Sequence, residues 1–304
     1  MIKEHNINSK LTWYEVVAPN EEEKKRLTKL GLSDDLLFYA LDRNESARTQ
    51  IDDVDNALLT IFDILTPDPE VTAETEPVGL IINKDNQFFS IARQSTDQVA
   101  EKVLNDQRNL LPEKAKIQAI DLLINVLYQS SSQYIQSINE INRQRNLVQE
   151  KLKHGISRND INQLMTLETT SIYLKDSIRT NATVMKNLRN NTKKLNKHQE
   201  HHLESSETEN NQALEMINLT TDMISSVSKA YSTLSDSALN KTLNLLTIWT
   251  IFLAVPAAVT GFYGMNVKLP FENNPFGWII ALLITFILCF LIYLYLRRLN
   301  IFDK

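Results

Sequence analysis

The sequence predicts an α+β body of the α/β/α-sandwich kind, then a long helical stalk, then two C-terminal helices that cross a membrane. Three observations predict it. Short apolar runs bounded by turn residues fill the chain up to about Ile91, helical spacing takes over after Pro112, and two uncharged apolar runs lie near the end. The chain has 304 residues, 43% hydrophobic and 23% charged, with the apolar residues unevenly spread. A prior of ~150 residues per domain allows roughly two structural units.

The N-terminal segment Met1-Ile2-Lys3-Glu4-His5-Asn6 has no apolar h-region, so no cleavable signal peptide is expected and the body is expected to stay in the cytoplasm. Leu11–Val17 reads as a strand, and Ser33 is placed to cap a short helix over Asp34–Leu41. Ala57–Ile64 is a run rich in Leu and Ile. Val78–Ile82 and Gln87–Ala92 flank Asn83-Lys84-Asp85-Asn86, the pattern of a hairpin. Pro67, Pro69 and Pro77 bracket an acidic loop. Residues 1–114 are therefore expected to form one α/β domain with a partly antiparallel sheet.

Residues 115–204 are expected to form a helical hairpin. Ile117, Ile120, Leu123, Ile124, Leu127, Ile135, Ile138 and Ile141 recur at helical spacing, His154-Gly155-Ile156-Ser157 breaks the run, and Ser157 or Asn159 can cap the next helix. Ile161, Leu164, Leu167, Ile172, Leu174, Ile178, Met185 and Leu188 continue the pattern. A polar break is expected near Glu204–Asn210, with a stalk helix over 205–262 that runs into the first span. On it Ile217, Ile224, Tyr231, Ala238 and Leu245 repeat every seven residues, with Leu214, Val227 and Leu234 near the companion position. Such a seam serves helix association between copies or packing on the chain's own helices.

Leu243–Phe262 and Phe276–Leu296 each hold about 20 residues without a charge, enough at ~1.5 Å per residue to cross a ~30 Å hydrocarbon layer. Lys241 precedes the first and Arg297, Arg298 and Lys304 follow the second, while the connection 263–275 carries only Lys268 and Glu272. The positive-inside rule then puts both termini and the basic tail 297–304 in the cytoplasm and the connecting loop outside. Trp278, Tyr293 and Tyr295 stand near the span ends, as interfacial aromatics do. Cys289 is the sole cysteine, so no intrachain disulfide forms. The net charge of -5, with no basic stripe interleaved with aromatics, argues against a nucleic-acid partner. No Gly-rich phosphate loop or nucleophile motif is found, so enzymatic activity is not expected.

The first span ends Gly261-Phe262-Tyr263-Gly264-Met265-Asn266. Gly-Met-Asn at this position, in a chain with this whole plan, resembles the motif of CorA-type magnesium transporters (GMN-motif metal ion transporters). The resemblance implies a homopentameric funnel in the cell membrane that takes up hydrated Mg²⁺, driven by the membrane potential and gated by cytoplasmic divalent cation. Mg²⁺ is then both cargo and regulator, and Co²⁺, Ni²⁺ or Zn²⁺ are alternative cargoes. A membrane-anchored coiled-coil sensor or scaffold is the reading from another class. The resemblance implies that Gly264, Met265 and Asn266 form the selectivity filter, with Gly264 and Asn266 facing the ion. The physical reason is that Mg²⁺ sheds water reluctantly, so uncharged oxygens that hydrogen-bond its hydration shell serve better than ligands that strip it. Asn266 supplies an amide carbonyl, and Gly264 lets the backbone turn and offer its own.

Counting back, Asn240, Leu243, Leu246 or Thr247, Thr250, Ala254, Ala257 and Gly261 fall on one helix face at three- and four-residue spacing. The resemblance implies that this face lines the pore, that Asn240 forms a cytoplasmic-side polar ring, and that Leu243 and Leu246 form an apolar constriction. Ala254 stands where relatives carry a bulky gate residue, which implies a wider upper constriction. Pro256 frees a carbonyl and is expected to bend the span. Asp52, Asp53, Asp55, Glu204, Glu207 and Glu209 cluster as acids of the kind a sensing site uses, but a charge run is usually a solvated face and none is assigned. His198 and His202 lie four apart, a spacing open to a transition metal; a polar helix end explains it with fewer demands.

Overall fold

A computed structural model describes residues 1–52, 56–66, 75–93, 116–152, 157–192, 195–265 and 276–298. Strands β1 (Ile2–Asn8), β2 (Leu11–Val17), β3 (Arg48–Asp52), β4 (Ala57–Leu65), β5 (Thr75–Ile82) and β6 (Phe88–Ala92) form one sheet in the order β1-β2-β6-β5-β4-β3. The β2–β6 pair is parallel and the other pairs are antiparallel. The expected hairpin is β5–β6. Asn83 holds its turn by accepting from the Asp85 and Gln87 amides at 3.1 and 2.9 Å, while its own amide donates to the Leu30 carbonyl at 3.0 Å.

Strand alternation sends neighbouring residues to opposite faces, and each face has its own core. Val16, Leu59, Ile61, Ile81, Phe89 and Ile91 pack with Leu27 of helix α1 (Glu21–Lys29), Leu36, Leu37 and Ala40 of helix α2 (Asp34–Leu41), and Leu32 of the turn between them. Ser33 caps α2 as expected, accepting from the Leu36 amide at 3.4 Å. Asn20 and Glu23 form a reciprocal capping box on α1. The helix α2 approaches β5 so closely that a Cβ on Gly79 would lie 2.4 Å from the Ala40 Cβ. On the other face Trp13, Phe62, Ile64, Leu80 and Phe88 meet Leu122, Leu123, Leu127, Val184, Met185 and Leu188. These last come from α3 (Ala119–Leu152) and α4 (Arg158–Asn191), so the sheet lies between two helical layers, the sandwich that the sequence predicts.

Beyond the sheet, α3, α4 and α5 (Lys197–Tyr263) share a third core of Tyr134, Ile138, Ile141, Leu167, Leu174, Ile178, Ala213, Ile217 and Ile224. Polar contacts fix that layer to β4. The Tyr134 hydroxyl donates to the Asp63 carbonyl at 3.0 Å, and Asn181 both donates to it and accepts from the Asp63 amide. Ser157 caps α4, as the sequence predicts.

One boundary is corrected. No break occurs at Glu204–Asn210; α5 already begins at Lys197, where Asn196 and Gln199 exchange reciprocal capping hydrogen bonds of 3.0 and 2.9 Å. The polar run stays helical because its side chains are paired within the helical layer. Ser206 donates to the His202 and Ile124 carbonyls, Asn210 donates to the Ile178 carbonyl, and Glu207 pairs with Arg189. Asp53, Asp55 and the loop with Pro67 and Pro69 lie outside the described residues.

The chain divides into two compact units, Met1–Ser228 and Lys229–Lys304. The second contains the C-terminal part of α5 and helix α6 (Gly277–Arg298).

Candidate functional site

The second unit holds the C-terminal part of α5 and helix α6, and each of these helices has a stretch long and apolar enough to cross a membrane. Neither carries a charge across its apolar stretch, from Thr242 to Tyr263 or from Gly277 to Leu296. Continuous helix over Asn240–Gly261 puts Asn240, Leu243, Thr247, Thr250, Ala254, Ala257 and Gly261 on one stripe, as their spacing predicts; Leu246 stands at its margin. All eight are exposed. The side chains that lose exposure lie elsewhere on the helix: Ile248, Ile251, Phe252, Val255, Pro256 and Val259 are half-covered. On α6 the covered stripe is Gly277, Ile280, Ala281, Ile284, Thr285, Cys289, Ile292 and Leu296. The described residues thus leave the candidate stripe open, together with Trp249, Leu253 and Thr260 beside it.

The stripe is polar at intervals without being charged. Thr247 and Thr250 donate back to the Leu243 and Leu246 carbonyls, both at 2.8 Å, which satisfies each hydroxyl proton and leaves its lone pairs available. Pro256 has no amide proton, so the helix lacks one rung there. Thr260 donates to the Pro256 carbonyl at 2.9 Å, covering the turn that follows.

At the end of α5 the Gly264 amide still bonds the Thr260 carbonyl at 2.9 Å, and the Met265 amide bonds the Phe262 carbonyl at 3.3 Å. Among the described glycines only Gly31 has positive φ, so Gly264 does not serve here through a left-handed turn. A Cβ at this position would stand 3.3 Å from the Thr260 oxygen and 3.6 Å from the Gly261 oxygen, the carbonyls of the preceding turn. Asn266, Lys268 and Glu272 lie outside the described residues.

The other candidates resolve less favourably for metal. Glu207 is held by Arg189 at 2.8 Å, and its burial raises the carboxyl above its usual range despite that partner. The rings of His198 and His202 stack at 5.6 Å between centroids, with Tyr128 edge-on to His202 at 6.0 Å. Among the described residues no group of three or more His, Cys, Asp or Glu could hold a metal ion.

Comparison with known proteins adds the lineage. A family model described as "CorA-like Mg2+ transporter protein" matches residues 8–298. The cobalt/magnesium transport protein CorA of Methanocaldococcus jannaschii is 25% identical over 297 residues, which cover 95% of this chain and 90% of that protein. The complete structure of the CorA magnesium transporter from that organism superposes with a TM-score of 0.80 at 23% identity, over 95% of this chain and 90% of the other. The full-length CmaX protein gives a TM-score of 0.70 at 23% identity, over 95% and 88%. At these identities the two structures show a shared fold, while the family model spans nearly the whole sequence. The chain belongs to the CorA-like Mg²⁺ transporter family.

Proposed function

We propose that this protein is a homopentameric channel of the cell membrane that admits hydrated Mg²⁺ down the electrical gradient. The observation that carries the reading is the open, uncharged stripe from Asn240 to Gly261, which ends at Gly264-Met265-Asn266 in a chain of this family. A rotationally symmetric assembly can close such a face around a water-filled conduit and repeat each of its groups as a ring. Asn240 then makes the inner polar ring, Leu243 and Leu246 make an apolar constriction that closes by dewetting, and Thr250, Ala254 and Ala257 line the passage. Gly264 and Asn266 offer carbonyl oxygens at the outer mouth, beside Met265. They hold the ion through its water, which Mg²⁺ keeps more cheaply than it sheds.

Both termini lie in the cytoplasm in this reading, and cytoplasmic Mg²⁺ closes the channel when it is plentiful. No fuel is needed. At ~2.3 kcal/mol per charge per 100 mV, a divalent ion gains ~4.6 kcal/mol on entry. Co²⁺ is a second cargo, since the relative from M. jannaschii is named for both ions and Co²⁺ can cross with its water shell intact.

The test is flux into liposomes holding the purified chain. An inside-negative voltage of 100 mV is expected to drive Mg²⁺ inward, a reversed voltage to drive it outward, and Co²⁺ to compete. Flux that ignores the sign of the voltage, or none at all, would reject the channel.

A further inference from the structure

Arg145 of α3 is only 9% exposed, yet it meets no carboxylate among the described residues. One terminal nitrogen donates to the Met223 sulfur of α5 at 2.7 Å, the other donates to the Asn146 amide oxygen at 2.9 Å, and Nε is buried without an acceptor. A guanidinium stays charged in proteins and offers five donors, and a thioether is a weak acceptor for one of them. A buried charge without a counterion is among the costlier things a fold can hold. Burial also pulls the Arg145 pKa down, the direction expected when nothing nearby favours the cation.

The missing anion has a candidate at the same height on α5. Asp222 immediately precedes Met223, is exposed, and meets no cation among the described residues. Successive helix residues stand ~100° apart around the axis. Ile217, Ile224 and Val227 turn inward to the helical core, so Met223 and Asp222 occupy opposite flanks of the outward face. Arg145 therefore marks one flank of α5 and Asp222 the other. Between them lies Leu219, 60% exposed, and Met223 itself is 48% exposed.

We propose that the Arg145 guanidinium of one copy pairs with the Asp222 carboxylate of the next copy around the ring. The inference rests on the ring assembly proposed above and deepens it by naming the contact that closes it. A rotationally symmetric ring joins one flank of each copy to the opposite flank of its neighbour, and it keeps equal residues at equal height along the axis. Those are the two relations that Arg145 and Asp222 satisfy. Leu219 and Met223 would be covered by the same contact and would shield the pair from water.

The experiment is a dilution series of the full-length chain in detergent, read by native mass spectrometry, with circular dichroism to confirm the helical fold. Arg145→Gln and Asp222→Asn are each expected to move the dissociation midpoint to about tenfold higher protein concentration or beyond, as for truncation of one partner of a buried interfacial pair. Arg145→Met, which keeps an apolar stem against Met223, is expected to weaken assembly similarly. The reversed pair Arg145→Asp with Asp222→Arg is expected to assemble better than either reversal alone. Single variants that assemble like the wild type, or a reversed pair no better than its parts, would overturn the contact and leave the ring standing. A wild-type chain that stays monomeric at every concentration would remove both.

Discussion

Replacing Asn266 with Ala is expected to abolish Mg²⁺ flux while leaving the oligomer intact. The argument is one of number. In the proposed ring each copy presents one Asn266 carbonyl to the hydration shell, and the substitution removes all of them together. At about 1 kcal/mol per hydrogen bond, a pentamer loses roughly 5 kcal/mol of ion stabilisation, a fall of several thousandfold in binding. Asn266 belongs to none of the three cores of the first unit and takes no part in the proposed Arg145–Asp222 contact, so size-exclusion and native mass profiles should match the wild type. The assay is liposome uptake beside oligomer size. Full uptake by Asn266→Ala would favour the reading in which the two apolar helices only tether a sensor or scaffold.

The second large effect is on stability. Gly79→Val is expected to destabilise the first unit by about 3 kcal/mol or more, the upper range for overpacking a close-packed site. The added atoms meet the Ala40 Cβ at 2.4 Å and the Ala40 Cα at 2.9 Å. The second contact is with main chain, so α2 as a whole must move away from the sheet. For a unit of this size, that change corresponds to a fall of about 6–12 °C in Tm. A compensating variant tests the cause. Ala40→Gly added to Gly79→Ala removes the Cβ–Cβ clash and should recover part of the loss, less about 1 kcal/mol for glycine in a helix. A wild-type Tm for Gly79→Val, measured by calorimetry, would show that α2 does not press on β5 as described.

Much of the body was legible because its signals were local. Ser33 and Ser157 each stand before an apolar-periodic run and each caps a helix. Asn83-Lys84-Asp85-Asn86 separates two β-rich runs, and Asn86 adopts positive φ in the resulting turn. The edge strands were not legible. Ile2–Asn8 and Arg48–Asp52 are mostly polar, because an edge strand buries little and draws its place from ladder bonds to β2 and β4. Helix α1 buries only Leu27, so its apolar period is invisible, although the Asn20–Glu23 capping box was there to be read. The false break at Glu204–Asn210 came from treating polar residues as loop formers. Ser206 and Asn210 are fully buried and bonded to carbonyls of α3 and α4, a tertiary contact that composition cannot reveal.

The candidate site divides in the same way. The stripe from Asn240 to Gly261 follows from helical spacing alone, and continuous helix preserves it. That the stripe is the open side of α5, with Ile248, Phe252 and Val255 on the covered side, needed coordinates. Gly264 was expected to matter for its backbone freedom; its amide continues the helical ladder to the Thr260 carbonyl, one residue past the last residue of α5. Arg145 carried no signal at all. An arginine two residues from Arg143, on a helix rich in Asn and Gln, is ordinary, and only the packing of Met223 against it shows that it is buried with no acid among the described residues.

Thiol accessibility along α5 bears most directly on whether this helix lines water. Single cysteines are placed at Thr250, Ala254 and Ala257 on the stripe, and at Ile248 and Val255 off it, all in a Cys289→Ala background. In liposomes, a charged methanethiosulfonate reagent is expected to modify the three stripe positions and block Mg²⁺ flux, and to leave the other two unmodified and conducting. Equal modification on both faces, or stripe cysteines that stay unreactive while ions flow, would show that Mg²⁺ takes some other path.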